Sequence, residues 1–335
     1  MKPVLIFLAF ITVVGGFFLL RPNHARRKLD PQISQQLMET VSSGFRASVV
    51  KIKATGTVVA AVGTGFYINS SGDILTAYHV IEGAGYFEVS NENQTLFRAD
   101  VIGVNAKYDL AVIRVRSSLA TPSATLGYTT TLEEGDPLVA IGNSKNEFLA
   151  SKFGQFLSLE HDPIELAPPE LIVSDVPIDH GDSGGPVLNN KGIVIGVTDA
   201  ISTNGRGDFR SYFVPISVLE PIIANMQAGK MDGVPGMGFQ VMDLRDLEGS
   251  PKQDSSSPVV VVYVSPNSAA DRAGVLAPSE LGVSILKSID GKPIDSVRQM
   301  YFLLSSKKPG DTVNVEFDNT RSFAKTVSIR LEPRR

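Results

Sequence analysis

The 335-residue sequence predicts a mostly β chain of two domains behind an apolar N-terminal segment. Three observations carry that reading. Between residues 47 and 223, short runs rich in β-branched residues, such as Val49-Val50-Lys51-Ile52-Lys53, alternate with turn formers, which suits two small barrels or a sandwich. Around residues 225–235 the composition turns to Gly, Lys, Met and Asp, as an interdomain linker does. The length allows two domains at about 100–200 residues each. The expected boundaries are 1–28 for an anchor or signal segment, 29–225 for the first domain, 226–235 for the linker and 236–335 for the second domain.

Residues 4–20 are nearly all apolar and follow a single Lys2. A bilayer takes about 20 such residues, with a lower limit near 17, so the run is just long enough to span. A cleaved signal peptide is the rival, but only Asn23-His24-Ala25 offers a weak small-residue site, and an uncleaved anchor is favoured. Arg21, Arg26, Arg27 and Lys28 pull the other way in orientation, because positive charge stays cytoplasmic and would leave the following domain inside the cell. After them, Ile33, Leu37, Met38 and Val41 fall near helical spacing and predict a short helix over residues 30–43.

Composition excludes several classes. With 43% hydrophobic and 20% charged residues the chain is globular, and a formal charge of −4 supplies no basic face for nucleic acid. Cysteine is absent, so disulfides are excluded and no redox compartment is selected. No Cys/His cluster suits zinc and no acidic loop suits calcium. Neither a metal nor a cofactor is expected.

The residues that carry chemistry centre on Gly181-Asp182-Ser183-Gly184-Gly185-Pro186. A serine hydroxyl attacks well only when a base takes its proton and donors receive the charge on the substrate oxygen. Glycines flank Ser183 on both sides with no evident packing purpose, and the N–H groups of Gly181 and Ser183 are the expected oxyanion hole. The chain holds four histidines: His24, His79, His161 and His180. His79 ends a strand–turn–strand pattern and is the expected base. Asp109 heads the apolar run Leu110-Ala111-Val112-Ile113 and is the expected orienting acid. His180 is an alternative base, but three residues before the nucleophile its ring would more often point away. His161 reads as an exposed loop residue. The order His, Asp, Ser matches one of the known triad orders.

With these segments, the chain resembles the HtrA/Deg family of serine proteases over roughly everything after residue 35, and is most similar to its membrane-anchored, DegS-like branch. The resemblance implies a chymotrypsin-like double β-barrel with His79, Asp109 and Ser183 as the triad. It implies a substrate pocket whose base falls at Pro177 and Ile178, apolar and without a carboxylate for Lys or Arg. The second domain resembles a PDZ domain of α+β type, in which Gly236, Met237, Gly238 and Phe239 match the loop that cradles the free C-terminus of a peptide. It departs from the pattern in a Ser/Pro-rich insert at 249–258. The implied partners are polypeptide substrates, peptides with free C-termini and two further copies of the chain in a homotrimer. The implied place is the bacterial inner membrane with both domains in the periplasm, or a soluble periplasmic form after signal cleavage. The loop at 148–170 is the expected receiver of a signal from the peptide site. The implied function is a serine endopeptidase of envelope quality control or stress signalling. The rival is a peptide-binding adaptor on a resting protease scaffold. One residue departs from the family: it usually carries Asn before the serine, and this chain has Asp182, as digestive proteases do. There a new N-terminus freed by cleavage pairs that carboxylate; here no activation site is evident, and the partner of Asp182 stays open.

Overall fold

The computed structural model describes residues 30–56, 60–127, 132–144, 147–160, 170–203, 209–244, 258–276, 282–319 and 322–333. The apolar run at 4–20, His24, His161 and most of the insert at 249–258 lie outside the described residues. Among the described residues no helix is long and apolar enough to cross a membrane.

Helix α1 (Pro31–Phe45) begins where the helical spacing predicts. Asp30 caps it by accepting from the N–H of Gln32 at 2.8 Å, and Pro31 supplies a fixed φ in the first turn. Val41 and Phe45 are buried and Leu37 and Met38 pack beside them, whereas Ile33 is exposed. The first barrel follows: β1 (Val49–Gly56), β2 (Ala60–Tyr67), β3 (Asp73–Ala77), the one-turn helix α2 (Tyr78–Ile81), β4 (Ala84–Ser90), β5 (Leu96–Asn105) and β6 (Leu110–Val115). The strand order is β5-β4-β1-β2-β3-β6, and β5 also pairs with β6, which closes the ring. Closure removes the free edges that an open sheet would expose.

The second barrel consists of β7 (Pro137–Gly142), β8 (Ala150–Glu160), β9 (Leu171–Ser174), β10 (Pro186–Leu188), β11 (Val194–Thr203) and β12 (Phe209–Pro215), closed in the order β10-β11-β12-β9-β8-β7. This corrects the expectation of a loop at 148–170: residues 150–160 are a barrel strand, paired with β7 and β9, and 161–169 lie outside the described residues. Ser151, Lys152, Gln155 and Ser158 disguise the strand by their polarity. The apolar cluster between the barrels takes Phe66, Leu75, Leu110 and Val112 from the first and Val139, Ile141, Leu188 and Val194 from the second. Helix α3 (Ile216–Gln227) adds Leu219, Ile223 and Met226 to the same cluster.

The stretch expected as a linker is largely structured. Its first two residues belong to the last turn of α3, and β13 (Met231–Asp232) pairs in parallel with β5. Gly103 of β5 admits this packing, since a Cβ there would stand 2.2 Å from the carbonyl oxygen of Met226.

The C-terminal domain is a sheet of β14 (Phe239–Asp243), β15 (Val259–Val264), β16 (Ser284–Ile289), β17 (Lys292–Pro293), β18 (Thr312–Asn319) and β19 (Ser322–Arg330). The order β14-β15-β16-β18-β19 leaves β14 at an edge. Helix α4 (Ala269–Arg272) and helix α5 (Val297–Ser305) complete it, each with a serine at its N-cap (Ser268 and Ser296).

Candidate active site

Asp109 organises one half of the site. It follows a 3-10 turn at residues 106–108 and adopts a left-handed φ of 52°, a conformation that Asp tolerates better than most residues. Three groups of the facing chain converge on it. The carbonyl of Asp109 accepts from the N–H of Tyr78 at 2.9 Å, Oδ1 accepts from the N–H of His79 at 2.9 Å, and Oδ2 meets His79 Nδ1 at 2.5 Å. The Asp109 side chain is 1% exposed and the His79 side chain 25% exposed. A buried carboxylate on Nδ1 fixes the tautomer in which Nε2 is the proton acceptor. Asp109 therefore pairs with His79. His180 instead donates its N–H to Asp179 Oδ1 at 2.8 Å.

The serine loop forms the other half and docks on the end of the first barrel. The N–H of Thr64 donates to the Ser183 carbonyl at 2.9 Å, and Thr64 Oγ1 donates to the Gly181 carbonyl at 2.5 Å. Thr76 Oγ1 in turn donates to the Thr64 carbonyl at 2.7 Å. Asn143 closes the same knot, with its N–H and Nδ2 on Thr64 Oγ1 at 3.1 and 3.0 Å and its Oδ1 accepting from Leu149 N–H at 3.1 Å. Gly184 N–H reaches the Thr198 carbonyl at 3.0 Å.

The expectation that the flanking glycines serve no packing purpose is corrected. Gly184 has φ +80°, and a Cβ there would lie 2.5 Å from Ala77 N, Thr64 O and Thr76 Oγ1. At Gly181, with φ +93°, a Cβ would stand 2.2 Å from the Asn143 carbonyl oxygen. The glycines bring the serine loop into van der Waals contact with the strand that leads to His79. Among the described residues the N–H groups of Gly181 and Ser183 donate to no protein acceptor. The Gly181 carbonyl is turned into the protein onto Thr64.

Asp182, between those two N–H groups, is buried at 2% exposure. Its Oδ2 accepts from Lys152 Nζ and from the Asp179 N–H, the latter at 2.7 Å. Burial pushes its carboxyl above the ordinary carboxylate value even against Lys152 and the Asp179 N–H, which pull it down. Thr64, Asn143 and Lys152 are the residues of this site that the sequence did not flag.

The other expected sites divide. Ile178 is buried in the second barrel core with Ile172, Val176, Ile195 and Phe213, whereas Pro177 is exposed. As a pocket base, Ile178 offers its packing and not an open face. In the C-terminal domain, the N–H and carbonyl of Gly236 exchange 2.9 Å hydrogen bonds with Glu332, which removes Gly236 from the expected carboxylate cradle. Met237 is buried, while its N–H and that of Gly238 (φ +89°) donate to no acceptor among the described residues. Phe239 starts β14 and stacks edge-on with Phe317 at 5.7 Å. Among the described residues no cluster of His, Asp or Glu could hold a metal ion.

Residues 63–197 match the family model of the trypsin-like peptidase domain. Among curated proteins, the chain is 31% identical over 250 residues to the putative serine protease HhoA of Synechocystis, covering 70% of this chain and 62% of that protein. It is 28% identical over 289 residues to Protease Do-like 1, chloroplastic, of Arabidopsis thaliana, covering 81% and 64%. It is 28% identical over 264 residues to a probable periplasmic serine endoprotease, DegP-like, of Halomonas elongata, covering 76% and 53%. The chain thus spans between half and two thirds of the length of these relatives. Among solved structures, the HtrA-type protease AlgW with a tripeptide superposes with a TM-score of 0.54 at 20% identity, over 89% of this chain and 97% of that one. The fold is therefore the chymotrypsin-like double β-barrel of HtrA proteases. The chain carries a trypsin-like peptidase domain and is a homologue of the HtrA/Deg serine proteases.

Proposed function

We propose that the chain is a serine endopeptidase with His79, Asp109 and Ser183 as its triad. The observation that carries this is the double hold of Asp109 on His79, through ring and backbone, beside a serine loop in which the N–H groups of Gly181 and Ser183 are unpaired among the described residues. Ser183 Oγ attacks the scissile carbonyl carbon while His79 Nε2 takes its proton. The carbonyl oxygen becomes an oxyanion held by the N–H groups of Gly181 and Ser183. Collapse breaks the C–N bond, and the same proton passes from Nε2 to the leaving amine. Water then attacks the acyl carbon with its proton taken by His79; the C–Oγ bond breaks, Nε2 returns that proton to Ser183 Oγ, and the new carboxyl end leaves. Asp109 keeps the imidazole oriented and stabilises its cationic form throughout.

The C-terminal domain is, on this reading, a PDZ domain. A peptide adds to the free edge of β14, and the N–H groups of Met237 and Gly238 take its carboxylate. With no charge at 177–178, cleavage is expected after small or medium aliphatic residues such as Val or Ala. Relatives described as periplasmic support a role in envelope quality control or stress signalling, with residues 4–20 as the anchor and the α1 region as a trimer contact.

The test is Ser183→Ala in purified protein. Casein hydrolysis and labelling of Ser183 by an activity-directed phosphonate should both vanish with the fold retained, since a broken triad leaves only about 10³–10⁴-fold catalysis over water. Hydrolysis at the wild-type rate in the variant would refute the assignment. A wild-type chain that never labels, even with a peptide ligand present, would instead make the protein a peptide-binding adaptor.

A further inference from the structure

We propose that Lys152 is a built-in counter-ion that holds the serine loop in its working shape, a positioning residue with Asp182 as its target. The inference rests on the protease reading above. Asp182 lies between Gly181 and Ser183 in the chain, and its Cα borders the peptide group that carries the Ser183 N–H, so anchoring its side chain restrains that donor. That side chain points inward, at 2% exposure. Its Oδ1 finds no hydrogen-bond partner among the described residues and stands beside Gly142, where a Cβ would come within 2.2 Å of it. Nothing larger than glycine at 142 would admit the carboxylate there.

A carboxylate so placed loses its hydration and keeps its charge only against a nearby cation. Lys152 supplies it. It sits on β8 opposite Ala140 of β7, two residues before Gly142, and its side chain is 13% exposed. Its Nζ donates to Asp182 Oδ2, the oxygen that also accepts from the Asp179 N–H at 2.7 Å. Asp179 also acts on Asp182, and its carboxylate opposes ionisation. The pair therefore ties the loop carrying Ser183 to the wall of the second barrel. Because the cation is a side chain of a barrel strand, it is in place as soon as the chain folds. No new N-terminus has to be freed by cleavage, and the missing activation site is accounted for. An uncharged Asn at 182 would need no such partner, so Lys152 and Asp182 form a matched set.

That logic gives the test, in the full chain with casein and the phosphonate probe. Lys152→Met leaves Asp182 buried without its cation. Turnover and the labelling rate of Ser183 should fall about 10²–10³-fold, the loss typical of a displaced oxyanion donor, with KM changed far less than kcat. Asp182→Asn alone strands the ammonium and should also lose activity. The double variant Lys152→Met/Asp182→Asn removes both charges and should recover turnover to within about tenfold of wild type, or about 1.4 kcal/mol. In each folded variant the downfield proton resonance of the His79–Asp109 hydrogen bond should persist, which places the damage on the serine loop. Should Lys152→Met fail to fold, recovery of fold and turnover in the double variant supports the same conclusion. Single variants within threefold of wild type would overturn the proposal, as would a double variant no better than Lys152→Met. A wild-type chain that neither hydrolyses casein nor labels would overturn the protease reading and this proposal with it.

Discussion

Gly184→Ala is the substitution whose cost the structure specifies most fully. The added methyl meets two penalties. At φ +80° the residue lies in the left-handed region, where a Cβ costs about 1–2 kcal/mol. The same Cβ would lie 2.5 Å from Ala77 N, Thr64 O and Thr76 Oγ1. Two of these are backbone atoms, and the third is held by its 2.7 Å bond to the Thr64 carbonyl. Relief of such overpacking typically costs about 1–3 kcal/mol. The loop cannot simply retreat, because Gly184 N–H is held by Thr198 at 3.0 Å and Thr64 N–H holds Ser183 at 2.9 Å. Together the terms give about 2–5 kcal/mol, against a total stability of about 5–15 kcal/mol for an ordinary domain. Urea denaturation should show a lower midpoint with an unchanged slope, and casein hydrolysis should fall with it. Gly44→Ala is the internal control. It lies in α1 with nothing within 4 Å of its would-be Cβ, and should be neutral or stabilise by up to about 1 kcal/mol. A loss at Gly184 below about 0.5 kcal/mol, the range of ordinary surface changes, with hydrolysis intact, would show that the serine loop does not depend on its close approach to Thr64.

Two further outcomes follow from other contacts. Burial would raise the Asp73 carboxyl, but hydrogen bonds from Arg114 Nε, Gln227 Nε2 and Asn69 Nδ2 outweigh it and hold the group below its ordinary value. Its stabilising contribution is therefore complete above about pH 4, the unfolded value, and is lost as pH falls through the lower folded value. Asp73→Asn should be less stable than wild type at neutral pH and lose less on acidification; parallel acid limbs in thermal unfolding would refute this. For the C-terminal domain, short peptides with an apolar last residue should change the hydrolysis rate of a substrate that lacks such an end by about 2–10-fold, and their C-terminal amides should not. Equal effects from acid and amide would refute carboxylate capture.

Local pattern made most strands of the first barrel, helix α1 and the pairing candidates His79 and Asp109 readable, because each carries its signal in a few neighbouring positions. Thr64, Asn143 and Lys152 carry none. Thr64 bonds the serine loop from 117 positions away and Asn143 bonds Thr64 from 79. A threonine or lysine inside a strand reads as ordinary surface until the two barrels close. Strand β8 was hidden for a related reason: Lys152 and Gln155 find their partners away from the strand, Lys152 on Asp182 and Gln155 Nε2 on the Gly135 carbonyl at 2.8 Å. Gly236-Met237-Gly238-Phe239 looked like one recognition unit. The pairing of Gly236 with Glu332, near the far end of the chain, takes its first member away.

On the proposed reading, the placement of the C-terminal domain limits how strongly a peptide there can act on the proposed triad. Tyr301 of α5 lies edge-on over Tyr78 with ring centroids 5.1 Å apart, and both rings are buried. Tyr78 precedes His79 and is itself tied to Asp109. On the other flank, Gln240 of β14 lies against Gly83, where a Cβ would be 3.2 Å from its Nε2. Helix α2, which carries His79, is thus contacted through α5 and, just beyond its end, through β14, the two elements between which a peptide would enter. A ligand with equal affinity for every arrangement of these elements shifts nothing. A ligand that moves β14 against α5 must change at least one of the two contacts, and that change is the coupling. Losing the aromatic pair is worth about 0.5–1.5 kcal/mol, the lower part of the usual allosteric range of about 1–3 kcal/mol. A full switch from about 1% to 99% active would need about 5.5 kcal/mol. The Tyr78–Tyr301 contact is too small for that and large enough for a several-fold change, so the peptide control proposed above would be graded if it runs through α2.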